Sequence, residues 1–227
     1  MPWLRYLGET DFAVSSPQQG RCQGLVSNFG LEYVPRADVA RACARWLAPE
    51  GRLSAVVHAS GSVIDLTAAQ SLDDLSHALS ELALFDRAQD LLQAIRTLPA
   101  DSARRQRHGA GPRAAYNRGV DDLKARMAER GKAAAVWMDM LTALTRLVRQ
   151  ALDGHAEAAL AACAELAQAY RAEVIRLRAM RASAFGSGEQ ALLGQAFAQA
   201  GLTRPVWAEI RSPIGLVAWH LSARSAV

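Results

Sequence analysis

Cysteine is scarce in this 227-residue chain: Cys22, Cys43 and Cys163 are the only three, far apart and with no C-x-x-C pair. An odd, scattered set argues against a disulfide framework and a structural zinc site, and the surroundings of all three suit small buried apolar residues. No apolar run approaches the roughly 20 residues that a bilayer span requires. The longest, 53–57 and 214–221, are strand-sized, and Met1-Pro2-Trp3 opens no charged-then-apolar leader. A cytoplasmic protein with no membrane partner and no bound metal is therefore expected. Lysine occurs only at 124 and 132, so nearly all of the 26 basic residues are arginine, and 22 acidic residues leave a dispersed net charge of +4. That mild excess argues against nucleic acid as a partner. Aromatics make up 6%, and none interleaves with the basic run Arg104-Arg105-Gln106-Arg107-His108, which reads as a solvated loop.

What is present is the composition of a globular protein, 51% hydrophobic and 21% charged, long enough for one domain with an insertion or for two small ones. Residues 53–58, Leu-Ser-Ala-Val-Val-His, follow the turn Pro49-Glu50-Gly51-Arg52 and read as a buried strand. Before the turn, Val39, Ala40, Cys43, Ala44 and Leu47 form one stripe of a helix over 37–47, with Asp38 in its first turn. Residues 23–29 are a second strand, and strand, helix and strand suit a parallel crossover. Near the other end, 189–200 read as a helix stopped by Gly201, followed by two strands, 206–210 and 216–221, in an antiparallel hairpin.

The block between is helical by period and alanine content. Three helices fit it: 71–98 with Leu75, Leu79, Leu82, Leu92 and Ile95 inward; 114–152 with Val120, Leu123, Met127, Trp137, Leu141, Leu144 and Val148; and 155–181 with Leu160, Cys163, Ala167, Tyr170, Val174 and Leu177. Loops are expected at 99–112 and at Asp153-Gly154, and Gly131 is a candidate break in the second helix.

The segment Leu25-Val-Ser-Asn-Phe-Gly-Leu-Glu-Tyr-Val34, a helix, and then Trp46-Leu-Ala-Pro-Glu-Gly-Arg-Leu-Ser-Ala-Val-Val-His58 resembles the middle of class I S-adenosylmethionine-dependent methyltransferases. Gln195-Ala-Phe-Ala-Gln-Ala-Gly-Leu202 with the following strands is similar to the last helix and the reversed hairpin that close the family's seven-stranded sheet. The resemblance implies a partial Rossmann-like α/β sheet, mixed, with a C-terminal antiparallel hairpin, carrying a large all-helical insertion. Residues 1–65 and 183–227 would form the core, and 66–182 a lid or dimerisation subdomain.

It also implies S-adenosylmethionine as cofactor and methyl transfer to a small-molecule acceptor. Asp11 and Phe12 fall where the family turns towards adenine, the Asp side chain accepting from the amino group and the next backbone N–H meeting the ring. Asn28 and Phe29, at a strand's carboxyl end, would line the methionine and adenine portions. Tyr33 would close over the cofactor, Glu32 would face substrate, and Tyr116 in the insertion would approach the acceptor. His58 ends its strand on the substrate side, where an imidazole can take a proton.

No G-x-G-x-G occurs in the chain, and such glycines let a backbone approach the cofactor closely. With the matches aligned, residues 3–7 would be the family's third strand, so an amino-terminally shortened methyltransferase is expected. The alternative is a non-catalytic, methyltransferase-like protein that pairs through its helices, and a homodimer or poor solubility is expected from the exposed remainder of such a sheet.

Overall fold

The computed structural model describes residues 22–98, 102–130 and 135–225 with Phe12, Ala13 and Ser15, the side chains of 102–106 and 130 excepted. The chain divides into two compact units, 1–68 with 179–227, and 69–178.

The first unit is a mixed α/β layer. Strands β1 (Cys22–Asn28), β2 (Leu47–His58), β3 (Val206–Ser212) and β4 (Gly215–Arg224) lie in the order β1-β2-β4-β3. β1 runs parallel to β2, with Leu25 beside Leu53 and Asn28 beside Val56, whereas β4 is antiparallel to both β2 and β3. Helix α1 (Arg36–Trp46) makes the crossover between β1 and β2. Its buried Val39, Ala40 and Cys43 share one core with Leu53, Ala55 and Val57 of β2 and with Leu221 and Ala223 of β4. Burial pushes the Cys43 thiol up to about 12, so it behaves there as an apolar group. Leu193 and Phe197, from the helix that precedes β3, complete the layer.

The expected turn at 49–52 is instead part of β2. Cys22 pairs with Leu47 but Gly24 with Arg52, so β2 carries extra residues opposite β1, and Glu50 absorbs them with a left-handed φ of 61°. At Gly51 a Cβ would stand 2.8 Å from the Ala48 carbonyl oxygen and 3.1 Å from that of Cys22. Both are backbone atoms, which cannot swing aside. Gly51→Ala is therefore expected to destabilise this unit by about 1–3 kcal/mol, read as a lowered urea midpoint; an unchanged midpoint would show that the bulge is not held.

Helix α2 (Val63–Ser76) starts after β2, with Ser62 Oγ accepting the Asp65 N–H at 3.2 Å and Asp65 accepting the Gly61 N–H at 2.9 Å. Arg181 Nε also donates to Asp65, at 2.8 Å. Burial raises the Asp65 pKa, but the Arg181 and Gly61 hydrogen bonds and the Arg181 charge outweigh it, and the carboxyl lies below its ordinary range. A depressed acid stabilises the fold above its unfolded pKa, about 3.9, and loses that contribution as pH falls through the folded value. Arg181→Gln should thus lower the urea midpoint more at pH 7 than at pH 3. Equal losses at both pH values would remove Asp65 from the account.

The second unit is helical. α2 ends in a π-type turn (His77–Glu81), and Ala83 takes a left-handed φ of 45° before α3 (Leu84–Arg96). The expected helix 71–98 is thus two helices. Helix α4 runs Ser102–Arg130 straight through Pro112, where a loop was expected, so the backbone of the basic run 104–108 is helical. Proline leaves the carbonyl four residues back without its intrahelical partner, and packing outweighs that cost. Tyr116 and Leu123 are buried, while a Cβ on Gly119 would stand only 3.3 Å from Leu84. Arg87 Nη1 donates to the Ala115 carbonyl, and Thr97 Oγ1 pairs with His108 Nε2 at 3.0 Å.

α5 (Ala135–Gln150) buries Trp137, Met140, Leu144 and Leu147, one position off the expected stripe at 140–141 and 147–148. Gly154, with φ of 95°, supplies the expected break before α6 (Ala156–Ser183), which buries Cys163, Ala167, Val174 and Leu177. Helix α7 (Ser187–Gln199) returns the chain to the sheet and ends as expected, Gly201 being left-handed. Among the described residues no helix is long and apolar enough to cross a membrane.

Candidate functional site

Because β1 and β2 are parallel, their carboxyl ends lie side by side, the edge at which open α/β sheets bind ligands. Phe29 leaves β1 with a left-handed φ of 53°, unusual for a residue with a side chain, yet its N–H still donates to Val56 O at 2.8 Å. The chain then winds through one 3₁₀ turn, Leu31–Tyr33, whose first N–H is taken by Ser27 Oγ at 3.1 Å. That turn carries Glu32 inward, to a position where its side chain has 0% exposure.

Glu32 Oε1 lies 2.5 Å from Nδ1 of His58, the last residue of β2, and also accepts the His58 backbone N–H at 3.2 Å. A carboxylate only accepts, so Nδ1 carries the hydrogen and Nε2 of the neutral ring keeps its lone pair. The His58 side chain is 12% exposed. The Phe29 ring centroid stands 4.4 Å from the imidazole, and Tyr33 presents its edge at 6.3 Å. Glu32 Oε2 is buried with no hydrogen-bond partner.

The pair is braced from behind. Arg36, in the first turn of α1, donates to Glu32 O at 2.7 Å and to Ser183 O at 2.9 Å, and its guanidinium lies 3.9 Å from the Phe185 ring centroid. Burial lowers the Arg36 pKa, opposed by the charges of Glu189 and Glu32. Phe185 in turn donates its N–H to His58 O at 2.8 Å.

Phe29, Glu32, Tyr33 and His58 are thus brought together, with Asn28 exposed at the end of β1 beside them. Phe12 stacks on Trp46 at 6.2 Å and lines an apolar cleft of about 270 Å³ along β1 with Leu25, Gly30, Leu31 and Val34. Asp11 and residues 3–7 lie outside the described residues. Tyr116 belongs to the helical unit's core, where burial, with Cys163 nearby, pushes its hydroxyl up to about 12. Sequence reasoning missed Arg36 and Phe185. Their signals were an arginine directly after Pro35 at a helix start, and a lone aromatic directly before Gly186. Among the described residues no group of three acidic, histidine or cysteine side chains is placed to hold a metal ion.

No protein-family model, curated protein or solved structure matches the chain.

Proposed function

We propose that this protein transfers a methyl group from S-adenosylmethionine to a small-molecule acceptor, with His58 receiving the acceptor's proton and Glu32 positioning His58. The observation that carries the reading is the Glu32–His58 pair, 2.5 Å apart, at the carboxyl end of two parallel strands. The reversed hairpin β3–β4 beside β2 is the closure that the resemblance implies, and supports it.

The residues present suit two parts of the cofactor. The aromatic rings of Phe29 and Tyr33 beside His58, with the orphaned Oε2 of Glu32, favour a cation such as a sulfonium. The apolar cleft bordered by Phe12, Leu25 and Leu31 suits a flat ring system such as adenine. When bound, S-adenosylmethionine supplies an electrophilic methyl group. An acceptor hydroxyl or amine must lose a proton as it is methylated, and Nε2 of His58 is the atom that takes it. Glu32 stabilises the imidazolium so formed and fixes its ring, Arg36 holds the Glu32 turn by its carbonyl, and the two aromatic rings exclude water.

The test is calorimetric titration of the protein with S-adenosylmethionine and with its demethylated product. Micromolar binding of both, weakened when Phe29 is replaced by Ala, supports the reading, and no binding of either sinks it. One observation favours a second reading, a non-catalytic protein that pairs through its helices: Met138, Leu152 and Ile175 of the helical unit are 58%, 59% and 68% exposed. Light scattering separates the two. A dimer without cofactor affinity supports the second reading, and a monodisperse monomer counts against it.

A further inference from the structure

Far from His58 along β2, the sheet carries a second constellation. Arg52, Ser54 and Val56 alternate with the buried Leu53, Ala55 and Val57, so they point to the opposite face of the sheet. On that face Arg52 stands directly across from Arg224, and Ser54 from Ser222. Like charges directly opposite each other in an antiparallel pair repel. Together with Thr203 and Arg204, from the segment before β3, these side chains line a cleft of about 520 Å³ in which no acidic residue appears. Among the described residues none of the three arginines forms an ion pair.

The hydroxyls complete the set. Thr203 Oγ1 accepts the Arg224 N–H at 2.9 Å, which leaves its own hydrogen to donate into the cleft. Ser54 Oγ lies 2.9 Å from His220 Nε2, so a further imidazole stands behind the cleft wall. Gly24, paired with Arg52 on the other side, has no side chain to crowd the guanidinium. Three guanidinium groups, each a planar fork of donors, and three hydroxyls lining one cleft match a tetrahedral, multiply charged oxyanion.

From this we infer that the cleft between Arg52, Arg204 and Arg224 is a phosphate-binding site, for free phosphate or for the phosphate of a small phosphomonoester. The bound anion would neutralise the Arg52–Arg224 repulsion, so ligand and sheet stabilise each other.

The test uses the whole chain and inorganic phosphate. At constant ionic strength phosphate should raise the Tm, whereas chloride should not. Arg52→Gln and Arg204→Gln should each weaken phosphate binding about tenfold or more by calorimetry. Both residues are exposed. Without phosphate Arg52→Gln should melt no lower than wild type, its repulsion with Arg224 being relieved, and Arg204→Gln, outside the sheet, should melt as wild type and so separates ligand binding from sheet stability. Ribose 5-phosphate distinguishes the sources: affinity equal to that of inorganic phosphate assigns the free ion, and tighter binding assigns a phosphomonoester. The inference is overturned if chloride matches phosphate, if both variants keep wild-type affinity, or if a single-stranded RNA binds while neither phosphate compound does.

Discussion

Truncating Phe185 to alanine should cost the α/β unit about 3–5 kcal/mol, the range for deleting a fully buried aromatic ring. The residue is 0% exposed within the sheet core, its ring stands 5.2 Å from that of Trp207, and Arg36 stacks on it. Its backbone is equally committed, accepting from Ser60 N–H at 3.0 Å and from Trp219 Nε1 at 3.1 Å. Removing the ring opens a cavity and takes away the surface on which a half-buried guanidinium lies. The expected readout is a large fall in urea midpoint together with accelerated hydrogen exchange in β2 and β4. A loss below about 1 kcal/mol would mean that the core collapses around the gap.

His58→Asn should lower methyl transfer by roughly 10²–10⁴-fold on the proposed chemistry, the usual contribution of a positioned base. Cofactor affinity should change little, because the variant leaves Phe29, Tyr33 and the β1 cleft in place. Glu32→Gln separates base from positioning. A glutamine can still accept from Nδ1 but no longer offsets the imidazolium charge, so the rate should fall, by less than in His58→Asn. An acceptor that is already a strong nucleophile would give a small effect, and equal rates for wild type and His58→Asn would remove the base.

Much of the sheet was legible because period and punctuation agreed there. The apolar run 53–58 read as a buried strand and lies in β2, and Gly201 ended the last helix ahead of the antiparallel final pair as expected. The β2 bulge was not, since Pro49-Glu50-Gly51 carries the chemistry of a turn and only the pairing with β1 turns it into an irregularity within a strand. In the helical unit, Gly109, Gly111 and Pro112 read as breakers because local propensity cannot weigh the packing that α4 makes with α3. The left-handed Ala83 had no signal, being neither glycine nor asparagine. At the site, residue types were readable at 29, 32, 33 and 58. That Glu32 turns inward onto His58 depends on a 3₁₀ turn capped by Ser27, which no periodicity announces.

The bridge at Phe185 bears on how this chain is put together. Strand β2 leaves the sheet at Ala59 and the chain returns beside that point, with Ala59 bridged to Phe185 and Asp65 tied to Arg181. Everything between enters and exits through a single stapled doorway, so the sheet experiences the intervening helices as one closed loop. Loop-closure entropy grows only slowly with length, and the staple makes the sheet indifferent to how many residues pass through it. Joining residue 61 to residue 184 by a short glycine-serine linker should leave the sheet's assembly intact. The same doorway would accept a different helical bundle, which makes the helical unit an exchangeable module and the bridge its socket.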